Sequence, residues 1–326
     1  MTIQSIKETL EIRQIGIYLG TIVMAVVIGL LVPGVAAVEA GINPALAFML
    51  FATFLQVPLT DLGKAVTRVR FMAALLTGNF IVIPVLLAAL LWLLPAEPMV
   101  RLGVLLVLLA PCIDYVVTFS HLGRADAHLL LAATPVLLLL QLLLLPAYLA
   151  AFLGPGAAGI IEAGPFIHAF VWLIAVPFVL AGLVQAWAAR RRVGERVSQV
   201  LGLLPVPATA LVLLVVIVSV VPQLGQAANA ALSVVPVYIA FAFLAPLVGW
   251  LVARFFKLDG PTGRAVAFST ATRNSLVILP LAFAVPGAIP VLPAVIVTQT
   301  LVELVSEMLY IRLIAKLGRS RPAEAS

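Results

Sequence analysis

The chain of 326 residues is predicted to be an all-α polytopic membrane protein. Ten transmembrane helices are expected, as two inverted five-helix repeats whose helices 4 and 9 are broken and cross. Three observations predict this. Hydrophobic residues make up 64% of the chain and charged residues only 10%, against roughly 25% charged in a soluble domain. Apolar stretches of about 20 residues recur, the length that a hydrocarbon core of about 30 Å requires. Two of these stretches carry polar or helix-breaking residues at their midpoints, in corresponding places of the two half-chains. Lipid satisfies neither a broken backbone nor a charge, so such residues persist where they line a cavity or a partner helix. A matched pair of interrupted spans points to the binding site of a carrier.

The ten spans are expected near 16–34, 44–60, 71–94, 102–121, 128–153, 165–188, 200–222, 232–254, 264–285 and 290–314. The second and fourth are short or interrupted. Residues 1–13 are polar and mixed in charge, with no cleavage site of the secretory kind, and are read as retained. The single cysteine excludes an intrachain disulfide and a zinc–cysteine cluster.

Of the 19 Lys and Arg residues, all but Arg101 and the mid-span Arg273 fall before the first span, after the last, or in alternate loops. The positive-inside rule makes that side cytoplasmic and places both termini there. The net charge of +6 is therefore a topology signal, and no nucleic-acid patch is present. A plasma-membrane location follows from this reading.

Ten spans split into two fives, 1–154 and 155–326, and an odd number per half makes the halves run oppositely through the bilayer. Arg101 to Cys112 spans eleven residues, as does Arg264 to Ser275. A constant offset of 163 superposes Pro111 on Asn274 and Cys112 on Ser275, and Gln141 and Glu303 lie within one residue of it. The expected geometry is two broken helices crossing near the midplane with half-helix ends facing each other. Half-helix N-termini attract anions, and C-termini attract cations.

A charge within a span costs about 2.5–3.5 kcal/mol on insertion scales. Asp114, Arg273, Glu303 and Glu307 are the residues that incur it. Arg273 is expected to pair with Asp114 or Glu303. Glu303 lies halfway along span ten, where a carboxylate that gains and loses a proton suits proton coupling. Glu307 shares its helix face one turn nearer the cytoplasm, as a relay step or an interfacial charge. Cys112 follows a proline at the break, and its thiolate is a soft ligand selecting soft cations or metalloids. Asn274 and Ser275 at the second break and Thr134 in span five complete the expected substrate site, and Gln141 faces the same cavity. Asn79 and Pro84 are read as helix-shaping. His121, His128 and His168 have no metal-ligand spacing. A Walker-type loop, GxSxG and HExxH are absent from the sequence, so no cofactor and no ATP-driven step are expected.

The Ala110-Pro-Cys112 break, the turn Leu122-Gly-Arg-Ala-Asp126, the break Ala271-Thr-Arg-Asn-Ser275 and the segment Leu301-Val-Glu303 resemble the bile acid:sodium symporter superfamily. Within it the chain is most similar to the arsenite-efflux (arsenical-resistance) permeases. The resemblance runs from span one to span ten. It implies a panel domain and a core domain that move relative to each other, with Cys112 and Glu303 as the essential cysteine and glutamate. It also implies an antiporter expelling As(III), with Sb(III) as a second cargo, in exchange for a proton.

The chain departs from sodium-coupled members, which carry a Ser-Asn pair where Val116 and Val117 stand. Those members also have a glutamate at the place of Ser269 and a glutamine at the place of Arg273. Thr134 is the sodium-ligand position that is retained. The resemblance with these departures implies no sodium coupling. Asp114 and Arg273 also depart from typical arsenite permeases. An alternative is therefore a carrier of organic anions with Arg273 as a carboxylate clamp. A more distant one is a membrane-embedded enzyme using Cys112, Asp114 and His121. The expected partners are a small inorganic or organic solute, the proton and the lipid bilayer.

Overall fold

The computed structural model describes residues 3–32, 38, 40–56, 67–113, 115–154, 168, 170–221, 224–283, 285–288 and 290–318. The secondary structure of these residues is helical. The first helices are α1 (Ile3–Leu31) and α2 (Ile42–Phe54). Helix α3 (Val69–Leu93) contains a π-helical turn at Gly78–Val82. There follow α4 (Pro98–Leu108), α5 (Tyr115–Leu122) and α6 (Ala127–Leu153). Helix α7 (Val176–Ala188) is entered through a π-helical segment, Phe170–Ala175. The chain continues through α8 (Arg192–Leu201), α9 (Pro205–Val220) and α10 (Leu224–Phe255). It closes with α11 (Gly260–Ala271), α12 (Ser275–Phe283) and α13 (Val291–Leu313).

Five of the described helical segments are long and apolar enough to cross a bilayer alone, and seven if each of two bent pairs counts as one span. The chain is a multi-pass membrane protein. Three expected spans fall outside that count. They are the short α2 and the two broken pairs, α4 with α5 and α11 with α12. Each of these pieces is 13 residues or fewer, and polar or helix-breaking residues divide the two pairs. The first span has its apolar helix at Gly16–Leu31, and a further helical stretch, Ile3–Gln14, precedes it at a bend of 60°. The added stretch is polar, with Lys7 and Glu11 paired at 3.7 Å one turn apart. The bend thus falls where polar sequence gives way to apolar. Parts of expected spans one, two, four, six, seven and nine lie outside the described residues.

Two helical groups form. In one, α9 packs on α1 and α2, while α7 packs on α2 and α8. In the other, α10 packs on α11 and α13, α13 on α4, and α6 on α4 and α5. The groups meet where α2 touches α12 and α9 touches α13. Small residues permit the closest approach. A Cβ on Gly249 of α10 would lie 1.9 Å from the Thr270 hydroxyl, and one on Gly78 of α3 would lie 2.9 Å from the Thr270 methyl. Both glycines let neighbouring helices close on the last turn of α11.

The turn after α5 holds one end of the bundle. Arg124 adopts φ 58°, and its carbonyl accepts two bonds from the buried Arg264 guanidinium, at 2.9 and 2.7 Å. A third Arg264 bond reaches Leu317 O at 2.8 Å. Asp126 then caps α6, its carboxylate accepting from Leu129 N at 3.0 Å. These bonds tie the end of the first broken pair to the start of the second.

Candidate functional site

The two breaks cross. Pro111 and Arg273 form an antiparallel bridge. Cys112 N donates to Thr272 O at 3.1 Å, and Asn274 N donates to Ala110 O at 2.8 Å. Backbone that has left helical geometry is thus satisfied by the other break, as membrane depth demands. Around the crossing lie the C-terminal ends of α4 and α11 and the N-terminal ends of α5 and α12.

Arg273 is fully buried, and its side chain reaches the C-terminal ends. Its Nη1 donates to Leu108 O at 3.3 Å. Its Nη2 is within bonding distance of Ser269 O and Thr270 O, both at 2.6 Å, and of Asn79 Oδ1 at 2.9 Å. The guanidinium carbon also lies 5.5 Å from the centre of the Phe241 ring, a cation–π distance. The expected pairing of the guanidinium with the Glu303 carboxylate is therefore corrected. Terminal helix carbonyls carry partial negative charge, and four protein oxygens surround the cation. Asp114, the other expected partner, lies outside the described residues.

Glu303 is bound instead by the backbone of Arg273. Its Oε2 accepts from Arg273 N at 2.7 Å and from Gln299 Nε2 at 2.6 Å. Its Oε1 accepts from the Tyr115 hydroxyl at 2.5 Å. One turn on, the buried Glu307 accepts from the Thr272 hydroxyl at 2.5 Å. The Thr272–Arg273 peptide group therefore joins two predicted site residues: its carbonyl receives the Cys112 amide and its N–H reaches Glu303. Hydrogen bonds on opposite sides of one peptide polarise each other.

The remaining expected site residues divide. Asn274 caps α12, its Oδ1 accepting from Val277 N at 3.4 Å, while its buried Nδ2 has no hydrogen-bond partner. Ser275 Oγ accepts from the Thr300 hydroxyl at 2.9 Å, tying α12 to α13. Thr134 is buried but turns its hydroxyl to Leu131 O of its own helix, at 2.7 Å. Buried Gln141 leaves both amide atoms unpartnered.

Four contributors were not in the expected site: Asn79, Tyr115, Thr272 and Gln299. Asn79 was read only as helix-shaping, yet it joins Arg273 to the Ser269 hydroxyl, to which its Nδ2 donates at 2.9 Å. A polar residue beside Gly78 in an apolar run was its signal, and it sits in a π-helical turn, a frequent mark of functional sites. Gln299 was legible as the i−4 neighbour of Glu303.

A cavity of about 1050 Å³ separates the two helical groups. Its walls include Lys7, Glu11, Gln56, Ile113, Val117 and His128. It reaches Ile113, the neighbour of Cys112, while Cys112 itself is fully buried. His121 and His128 are exposed at this cavity. Among the described residues no cluster of His, Cys, Asp and Glu is arranged to hold a metal ion.

Crossed half-helices beside a cavity between two helical groups are a carrier's architecture. The family model of the sodium bile acid symporters matches residues 43–229, more than half of the chain. The chain belongs to that family. Members are transporters, not enzymes, so a small solute and a membrane setting follow. No curated protein matches the chain.

Proposed function

We propose that this transporter exports arsenite, and antimonite by the same chemistry, from the cytoplasm in exchange for protons. The observation that carries this reading is the Thr272–Arg273 peptide group. It holds the residue bearing the soft thiol, Cys112, on one side and a mid-helix carboxylate, Glu303, on the other. A single soft ligand binds a metalloid reversibly, as a carrier that releases its cargo requires. A carboxylate joined to the same peptide is placed to exchange a proton as the cargo comes and goes.

The proposed architecture is ten spans in two inverted repeats, 1–154 and 155–326, in the plasma membrane with both termini cytoplasmic. The crossing of the breaks supports it. So does the drawing of each helical group from both halves of the chain. The large cavity then faces the cytoplasm, and relative movement of the groups alternates access. Glu303 is the coupling carboxylate and Glu307 a supporting one, with Asn274, Ser275, Asp114 and Thr134 as further members of the substrate site. The organic-anion alternative needs a free guanidinium, whereas that of Arg273 is engaged by four protein oxygens.

The test is arsenite uptake into inside-out vesicles with and without a pH gradient, beside a panel of organic anions. Glu303→Gln preserves the shape of the side chain and an acceptor for the Arg273 amide, but carries no exchangeable carboxyl proton. It is expected to abolish uptake driven by the pH gradient, and persistent pH-driven counterflow in the variant would remove Glu303 from coupling. Replacing sodium by potassium is expected to leave the wild-type rate unchanged. The oxygen cage between α4 and α11 already holds a fixed cation, and a second positive charge there is repelled. A strict sodium requirement would refute that assignment.

A further inference from the structure

The hydroxyl of Tyr115 stands between two acceptors, Glu303 Oε1 at 2.5 Å and Arg273 O at 3.1 Å. A phenol has one proton and donates to one acceptor at a time. Glu303 Oε2 already receives two N–H groups, so a proton arriving on this carboxyl belongs on Oε1. When Glu303 is ionised, Tyr115 donates to Oε1. When Glu303 is protonated, Oε1–H donates to the Tyr115 oxygen, and Tyr115 turns its own proton to Arg273 O. Both protonation states are fully hydrogen-bonded without movement of the backbone. A buried carboxyl without such an arrangement would be left with an unmatched donor or acceptor in one state, at a cost of about 1–3 kcal/mol.

Tyr115 also borders a small polar pocket of about 30 Å³, roomy enough to hold water. Gln14, Thr53 and Thr209 wall it and are each no more than 4% exposed. The Gln14 amide nitrogen is buried there without a partner, as expected beside a polar ligand or water. Glu11, Thr53, Gln56 and Thr118 line both this pocket and the large cavity. A polar route therefore leads from the cavity to Tyr115, and the Tyr115 hydroxyl bonds Glu303.

We propose that Glu303 carries its proton on Oε1 and exchanges it with the cavity through the Tyr115 hydroxyl and water in the Gln14–Thr53–Thr209 pocket. In the release step the Glu303 Oε1–H bond breaks as the Tyr115 oxygen takes that proton. Tyr115 first turns its own proton from Arg273 O to a pocket water; as its oxygen takes the Glu303 proton, the original Tyr115 O–H bond breaks and that proton passes to the water, which hands it to the cavity. One proton has then moved from Glu303 to the cavity, and Tyr115 is again neutral. Other titratable groups face Glu303. Glu307 and Tyr310 lie on its own helix, Tyr238 on α10 and Arg273 at the second break; Glu11 and His121 line the large cavity. Tyr238 donates to Val295 O and Tyr310 to Ala242 O, so neither phenol bridges Glu303 to the polar pocket.

The proposal rests on the reading of Glu303 as the coupling carboxylate, and the experiment separates the two. Purified protein in liposomes is followed for arsenite flux and, with a pH dye, for proton flux, from pH 5.5 to 8.5. Tyr115→Phe is expected to slow proton-coupled flux at least tenfold and to change its pH profile. Thr53→Val and Thr209→Val leave the Tyr115–Glu303 bond in place while drying the pocket, and each is expected to slow proton flux several-fold. They keep the test decisive if Tyr115→Phe fails to fold. Wild-type rates and pH profiles in Tyr115→Phe or in both valine variants would overturn the route, leaving the coupling role intact if Glu303→Gln is uncoupled. Coupled exchange in Glu303→Gln would remove the parent reading itself.

Discussion

Arsenite extrusion is expected to fall to background when Cys112 is replaced by alanine. The thiol is fully buried at the crossing, and the backbone of residue 112 is held independently of it by the bond to Thr272 O. Alanine keeps that bond and removes only sulfur, so the expected loss of stability is about 1 kcal/mol, typical of a point substitution. The fold and the Glu303 network survive, and lost transport then reports a lost ligand. Cys112→Ser sharpens the test, because it restores size and polarity but not softness toward a metalloid. Both variants are expected to reach the membrane at wild-type levels and to leave cells as sensitive to arsenite as cells lacking the transporter. Wild-type extrusion by either variant would sink the metalloid site.

The second large effect is on stability. Arg273→Ala leaves the Leu108, Ser269 and Thr270 carbonyls and the Asn79 amide facing a hole where a cation stood. A buried acceptor left without its donor costs about 1–3 kcal/mol, several are left here, and this network joins α3, α4 and α11. The variant is expected to melt well below wild type in detergent. Lysine is expected to recover part of the loss, because an ammonium restores the charge but not the planar fork of donors. If Arg273→Ala melts like wild type and loses only binding of organic anions, the guanidinium is a substrate clamp and the structural role fails.

The helices were legible because a bilayer allows few solutions. Apolar length marks α3, α6, α10 and α13, and the polar interruptions at Pro111 and Arg273 mark the broken pairs. The partner of Arg273 was not legible. Charge arithmetic within a span points to a carboxylate, and Asp114 and Glu303 were the two on offer. The alternative partners are carbonyls at Leu108, Ser269 and Thr270, and any residue type supplies a carbonyl. Asn79 was read only in part for a related reason: its place in the π-helical turn and its bond to Leu75 O fit a helix-shaping role, but its bond to Arg273 exists only once α11 lies against it. Tyr115 looked like part of an apolar half-helix, and its partner lies 188 residues away.

By itself the sequence determined that this chain crosses the bilayer many times, that two of its crossings are interrupted, and that Cys112 and Glu303 deserve testing. These follow from transfer free energy and chain geometry, which act residue by residue. Only the tertiary structure decided how the charges are satisfied. Arg273 turns to helix ends and Glu303 to the Arg273 amide, with Tyr115 between that carboxylate and a polar pocket. Such choices depend on which backbone groups the two breaks leave unbonded when they meet, and that is a property of the crossing.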